Sequence, residues 1–204
     1  MSNVTLWDYP KSSASYRVRI ALNLAGIEYD IQTVDLLSKA HKSPEHLARN
    51  PQGFVPVLDI DGQRFTQSLA ILEYLDQTRA LGLLPSDPIQ RAKAQALAHT
   101  IAVDLHPVCN LSVVAHVTGG QEPARTQWMR HFITPGLAAF EALLAGFQQA
   151  PFAIGATPSL ADICLMPQLY NANRWGADYS GCARIKAIET ACAAHPAFAA
   201  AAPE

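Results

Sequence analysis

Apolar residues keep two different rhythms along this chain, and the change comes near residue 81. In the first part the runs are short and mixed. Val4 to Trp7 (VTLW) is an apolar run of strand length. From Arg17 to Ala25 the residues Val18, Ala21, Leu22 and Ala25 recur at i, i+3, i+4 and i+7, which is one face of a helix, and Gly26 is placed to stop it. EYDIQTVDL reads as a second strand. VPVLDIDGQRFTQ gives two strand-like runs around Asp61-Gly62, a pair that favours a type I′ hairpin turn. SLAILEYLDQTR returns to the helical period, with Ser68 as its expected cap. The order β-α-β-loop-ββ-α predicts a small α/β domain on a mixed sheet over residues 1–81.

ALGLLPSDP interrupts the pattern and reads as a linker. Beyond it no strand pattern persists. Asp87-Pro88 supplies an N-cap and first helical residue for a long helix through IQRAKAQALAHTIAVDL, which Pro107 is expected to bend before VCNLSVVAHV. Gly119-Gly120 separates it from a second long helix, from Pro123 to about Gln149. SLADICLMPQLYNANRW is a third, headed by Ser159-x-x-Asp162, an acidic form of the capping box. A last helix covers about Arg184 to Ala194. Residues 86–204 are therefore expected to form an all-α domain.

Composition narrows function more than fold. Of 204 residues 50% are apolar, and 15 Lys plus Arg stand against 17 Asp plus Glu, for a formal charge of −2. This balance suits a buried core, and without basic runs interleaved with aromatic residues no nucleic acid partner is expected. The opening MSNVTLWDYP has no basic head followed by an apolar stretch, and no apolar run reaches membrane-spanning length, so neither a leader nor a membrane partner is expected. Cys109, Cys164, Cys182 and Cys192 lack CxxC or zinc-type spacing. They read as reduced thiols of a cytoplasmic protein with no metal site.

One loop concentrates polar chemistry. DYPKSSASYRVRIAL places Lys11, Ser12, Ser13 and Ser15 at a helix start just before Arg17, and contains no cysteine or histidine. The simplest account is that the serines cap the helix. The other is a site that activates a nucleophile it does not own.

SSASYRVRIAL resembles the zeta-class signature of the glutathione transferases, usually SSCSxRVRIAL. NPQGFVPVL, QSLAILEYLDQTR, LLPSDPIQRA, HPVCNLSVV and SLADICLMPQLYNANRW are similar to further blocks of that class, in order and at family spacing, so the resemblance covers nearly the whole chain. It implies the cytosolic glutathione transferase fold: a thioredoxin-like α/β N-terminal domain that binds glutathione, and an all-α C-terminal domain that binds substrate. It also implies a homodimer, glutathione as cofactor and a small dicarboxylate substrate. The activity implied is that of maleylacetoacetate or maleylpyruvate isomerases in aromatic catabolism, which turn a cis maleyl diketo acid into its trans isomer.

Under that resemblance the borrowed nucleophile is a thiol. A thiol with pKa near ~8.5 is only about 3% ionised at pH 7. Lowering it to roughly 6.5 makes it about 75% ionised and takes about 2.7 kcal/mol. A helix N-terminus supplies about 0.3–1 kcal/mol and a charge-assisted hydrogen bond about 1.5–3. Ser12, at the family's catalytic serine position, is the expected donor, with Ser13 and Ser15 behind it and Arg17 adding positive potential. Ala14 departs from the pattern, since the family usually has cysteine there; with the sulfur of glutathione as nucleophile, that loss is expected to cost tuning rather than activity. Tyr9 is a rival hydroxyl, although a ring packed beside the sheet edge accounts for it more simply.

The resemblance implies a cis Val55-Pro56 bond that turns the Val55 backbone towards glutathione. It places Gln67 and Ser68 at the γ-glutamyl end, where a helix N-terminus suits a carboxylate, and adds His41 and Gln52 as contacts. Further along, His106, Asn110 and Ser112 fall at polar contact positions, with His106 and Asn110 one helical turn apart. Arg174 falls at the family's substrate-carboxylate position, and Lys11 is the second cationic candidate. Cys109 reads as packing. Two other activities stay open: a transferase or dehalogenase that consumes glutathione on small α-halo acids, and a non-catalytic transferase-like binding module, which Ala14 favours and Arg174 opposes.

Overall fold

The computed structural model describes residues 4–203, so the expected domain limits at 1 and 204 and the first three residues of the opening segment lie outside the described residues. The chain divides into two units. One runs to Leu81 and includes the segment from Pro196 onward; the other is Gly82 to His195. The last residues, assigned from sequence to the helical half, thus belong with the first unit. Their Ala-rich sequence carries no sign of it: Phe198 is buried, and the side chains of Asn23 and Arg19 donate to the carbonyls of Ala197 (3.0 Å) and Ala201 (2.9 Å).

The first unit is built on a four-stranded sheet in the order β2-β1-β3-β4. Strand β1 (Thr5–Asp8) pairs parallel with β2 (Asp30–Thr33) and antiparallel with β3 (Val57–Ile60), which pairs antiparallel with β4 (Gln63–Thr66). Asp61 (φ 53°) and Gly62 (φ 71°) both take the left-handed backbone that a type I′ turn requires. Helix α1 (Ser13–Leu24) starts five residues before its apolar stripe, because Ser12 caps it. Its Val18, Ile20, Ala21 and Leu22 are fully buried, as are Ile71, Leu72 and Leu75 of α3 (Ser68–Arg79). Helix α2 (Pro44–Arg49) has the serine cap and leading proline that the sequence reading passed over; at 6 residues it is too short to show an apolar stripe.

The second unit is helical throughout. Helix α4 (Pro88–His99) is capped by Asp87, whose Oδ1 accepts the Gln90 N–H at 2.8 Å. It runs through a π-helical turn (Thr100–Leu105) into α5 (His106–Val108), and α6 (Leu111–Thr118) follows after a break. The bend, 42° between Pro88–Val108 and Leu111–Thr118, comes after Pro107 and not at it. The proline has no N–H for the carbonyl one turn back and its ring would press on it, so the turn before it widens. Helix α7 is Ala124–Leu143; a tighter turn at Leu144–Gly146 ends it short of the expected Gln149. Helices α8 (Leu160–Trp175) and α9 (Ala183–Ala194) complete the unit, and α10 (Pro196–Ala199) returns to the first. Among the described residues no single helix is long and apolar enough to cross a membrane.

The head of α8 is a polar knot inside this unit. Asp162 is fully buried and accepts from the Ser159 N–H (2.8 Å), the Ser159 hydroxyl (2.5 Å) and the Ala153 N–H (2.8 Å). Burial nevertheless pushes its pKa up to about 6. The unfolded value is about 3.9, so the folded chain holds a proton here over a range where the unfolded chain does not. The stability this contributes is complete below about pH 4 and is lost as pH rises through 6. Asp162→Ala removes that slope. At pH 7 it also strands the Ser159 and Ala153 N–H groups, at an expected cost of about 3 kcal/mol, to be read from urea melts at both ends of the range.

Candidate active site

The first group of side chains forms at the N-terminus of α1. Ser12 has an extended backbone (φ −78°, ψ 119°), and its N–H donates to the Tyr9 carbonyl (2.8 Å), closing a tight turn after β1. Its Oγ accepts the Ser15 N–H at 3.2 Å. A hydroxyl has one proton and two lone pairs. One lone pair caps the helix, and the proton has no acceptor among the described residues. The capping and chemical accounts of Ser12 are therefore compatible, since the cap fixes the oxygen and leaves its proton to give.

The neighbours are not equivalent to it. Ser15 is 0% exposed and its hydroxyl has no partner, so it is shielded from any ligand arriving from solvent. Ser13 is half-buried at the first helical position, and Lys11 is exposed. Arg17 is 2% exposed and points inward, its Nη1 donating to Ser68 Oγ at 3.3 Å. No acidic residue occupies the first turn of α1, so its own first turn does not offset its positive end. Tyr9 is half-buried.

The second group lies around the start of α3. Ser68 is not the cap; it is the first helical residue, and the cap position belongs to Gln67. Gln67 takes φ 68° and ψ 109°, a region that side chains other than glycine rarely adopt. Its Nε2 donates to Gln52 Oε1 at 2.7 Å, so its side chain turns away from the helix end and leaves the first N–H groups of α3 without a side-chain cap. Gln52 is held in turn by Lys42 Nζ on its carbonyl (3.1 Å). Beside it Gly53 (φ 63°) comes so close to the next loop that a Cβ there would meet the His41 carbonyl at 2.8 Å. His41 has a buried Nδ1 without a partner, and burial, aided by the Lys42 charge, lowers its pKa, so the ring is neutral at pH 7.

The Val55-Pro56 bond is cis. Among the described residues neither the N–H nor the carbonyl of Val55 has a hydrogen-bond partner, although β3 starts two residues later. The loop is fixed just before that point. His46 Nε2 and Asn50 Nδ2 both bond the Phe54 carbonyl at 3.0 Å. His46 and Asn50 were not picked out from the sequence, because their role depends on a carbonyl that only the fold brings to them.

In the second unit, His106 and Asn110 do not share one continuous helix. Cys109 ends α5 and Asn110 is extended (φ −64°, ψ 138°), as the N-cap of α6. Its Oδ1 accepts both the N–H (3.1 Å) and the hydroxyl (3.0 Å) of Ser112. His106 stands half-buried at the head of α5. Cys109 is buried and its thiol is pushed up to about 12 by desolvation, which makes it packing and no nucleophile. Arg174 lies in the last turn of α8, exposed, its guanidinium carbon 5.2 Å from the centre of the Trp175 ring. It has no ion pair or hydrogen bond among the described residues. Two residues of α7 were missed from sequence: Trp128, whose Nε1 donates to the Val108 carbonyl (2.8 Å), and Arg125, 5.3 Å from the same Trp175 ring.

Known proteins carry the same framework. The glutathione S-transferase N-terminal domain model matches residues 2–77. A maleylacetoacetate isomerase of Rhizobium meliloti is 56% identical over 100% of this chain and 98% of its own. The holo structure of a maleyl pyruvate isomerase, described as a bacterial zeta-class glutathione S-transferase, superposes with a TM-score of 0.93 at 37% identity, covering 98% of this chain and 96% of that one. A maleylacetoacetate isomerase from Methylobacterium extorquens AM1, solved with malonate and glutathione, gives a TM-score of 0.91 at 36% identity over 98% and 96% of the two chains. Likeness of this extent, end to end and in sequence as well as fold, settles kinship: the chain belongs to the maleylacetoacetate isomerase family of zeta-class glutathione transferases.

Proposed function

We propose that this chain is a glutathione-dependent cis-trans isomerase of a maleyl diketo acid, with maleylacetoacetate as preferred substrate. The observation that supports it most is Ser12: a hydroxyl oxygen locked by a helix cap, with its proton uncommitted, in a loop without a nucleophile. The first unit also fits glutathione. It offers an unpaired peptide edge at Val55, uncapped N–H groups at the head of α3, and Ser68 steered by Arg17. The 56% identity to a maleylacetoacetate isomerase favours that acid over maleylpyruvate.

When bound, glutathione would supply a thiolate for reversible addition to the activated cis double bond, the chemistry that frees rotation about it. The chain supplies the rest. Ser12 gives its hydroxyl proton as a hydrogen bond to hold the sulfur in its charged form, with Ser13 at the same positive helix end and Arg17 behind it. The Val55 backbone, beside Pro56, pairs with the extended cysteinyl part. Ser68 and the α3 N–H groups hold the γ-glutamyl carboxylate, and Gln67 and Gln52 orient one another beside it. His41 takes the glycyl end. Arg174 binds a substrate carboxylate, and a positive group so placed stabilises negative charge developing on the diketo acid.

The same reading makes the protein a cytoplasmic homodimer. The support is family membership and four free cysteines, all buried, which suit a reducing compartment. The test follows maleylacetoacetate and total thiol together. Conversion should stop when glutathione is removed, resume when it is returned, and leave the thiol count unchanged. Thiol that fell in step with turnover would instead mark a transferase or dehalogenase. No glutathione binding at millimolar levels would mark a non-catalytic module.

A further inference from the structure

We propose that Arg125 and Arg174, gathered on the indole of Trp175, form a two-guanidinium holder for the diacid, with Arg125 responsible for its demand for a second carboxylate. The inference rests on the isomerase reading for its substrate but on its own observations for the holder.

Both guanidinium carbons lie close to one ring, Arg125 at 5.3 Å and Arg174 at 5.2 Å from its centre, so the two are separated by no more than twice that distance. At that limit, about 10 Å, like charges at a protein surface repel by about 1.6 kcal/mol. Cation–π contact returns about 0.5–1 kcal/mol for each, so the two effects about cancel and neither charge is neutralised. A carboxylate between them would neutralise both. Here Arg174 has none, and Arg125 has only Glu122 at 3.9 Å, the outer limit of an ion pair. A third guanidinium, Arg130, donates from Nε to the Trp175 carbonyl at 2.8 Å and adds to the positive field. The cluster is short of anions, and a dianion would supply them.

The platform is also rigid. Trp175 is 9% exposed, its Nε1 donates to Asn171 Oδ1 at 3.0 Å, and its carbonyl is held by Arg130. One helical turn beyond Arg125, Trp128 donates to the Val108 carbonyl at 2.8 Å. The head of α7 is thereby fastened to the segment that carries His106 and Asn110. The head of α7, through Arg125 on one side and Trp128 on the other, thus joins two groups of candidate residues that are far apart in sequence. A carboxylate at each end of a flexible chain can meet one guanidinium each, which a monocarboxylate cannot do.

The experiment uses the full-length protein with glutathione. It measures KM and kcat for maleylacetoacetate, and calorimetric binding of fumarate and of acetate. Arg125→Gln is expected to raise KM about tenfold or more, with the loss in KM rather than kcat, and to weaken fumarate binding by a similar factor but acetate little. Arg125→Lys recovers part of this. Glu122→Gln separates a holder from a structural ion pair. It releases Arg125 from its competitor and should lower KM two- to threefold, whereas a structural pair would make both substitutions act alike. Fumarate affinity and KM within twofold of wild type in Arg125→Gln overturn the proposal, as does wild type that binds no fumarate. Wild type that fails to isomerise maleylacetoacetate, yet loses fumarate affinity with Arg125→Gln, sinks the isomerase reading and leaves the holder standing.

Discussion

Replacing Ser12 with alanine should cut turnover of the maleyl acid about a hundredfold and raise the thiol pKa of bound glutathione by one to two units. The size follows from the bond removed. A hydrogen bond to a charged group is worth about 1.5–3 kcal/mol, which at 1.36 kcal/mol per decade is roughly 10- to 150-fold. The positive end of α1 persists in the variant and still supplies about 0.3–1 kcal/mol, so activity falls without vanishing. Ser12 also accepts the Ser15 N–H, and losing that cap costs about 1 kcal/mol of stability. The two losses are read separately: a urea melt reports the cap, and an ultraviolet titration of thiolate in the complex reports the proton donor. Ser12→Thr keeps both functions and should restore most of each. A folded Ser12→Ala enzyme with wild-type turnover and an unmoved thiol pKa would remove Ser12 from the chemistry.

How much of this was legible beforehand depends on how local each signal is. The hairpin was readable because Asp61-Gly62 is one of few pairs that accept two left-handed residues in succession. Helix α8 was readable because Ser159 and Asp162 announce its start within four positions. Ser68 misled for a related reason. A serine ahead of an apolar stripe is a good cap signal, but Gln67, strained and bonded to Gln52, took the cap position, and Ser68 turned to Arg17. The widened turn before Pro107 and the burial of Phe198 both depend on tertiary neighbours. So does the distinction among the serines of the first loop, since one of three similar hydroxyls faces inward and only packing says which. Arg125 was invisible for the strongest version of this reason: nothing near it in sequence names Trp175 as its partner.

Arg19→Met should cost about 4 kcal/mol of stability, the largest loss expected from any single substitution considered for the first unit. Arg19 is 5% exposed and its Nη1 meets Asp8 Oδ2 at 2.6 Å, where Asp8 is 2% exposed. The same guanidinium donates to the Ala201 carbonyl (2.9 Å) and the Pro10 carbonyl (2.9 Å), and lies 5.3 Å from the Tyr16 ring. It therefore fastens the end of β1, the loop that leads to Ser12, helix α1 and the returning C-terminal segment at one point. Removing one member of a buried pair leaves the other charge without compensation, at about 3–5 kcal/mol. Asp8 is poorly placed to absorb that loss, because its other oxygen already lacks a partner. Replacing both members by apolar residues removes the stranded charge, so Asp8→Leu with Arg19→Met should recover most of the stability. Turnover should not recover with it. The Pro10 carbonyl still lacks its donor in the double variant, and the turn that sets Ser12 is held less firmly. A double variant that melts near wild type but turns over several-fold more slowly marks Arg19 as a positioning residue for the loop. Recovery of both properties together reduces it to a partner for Asp8.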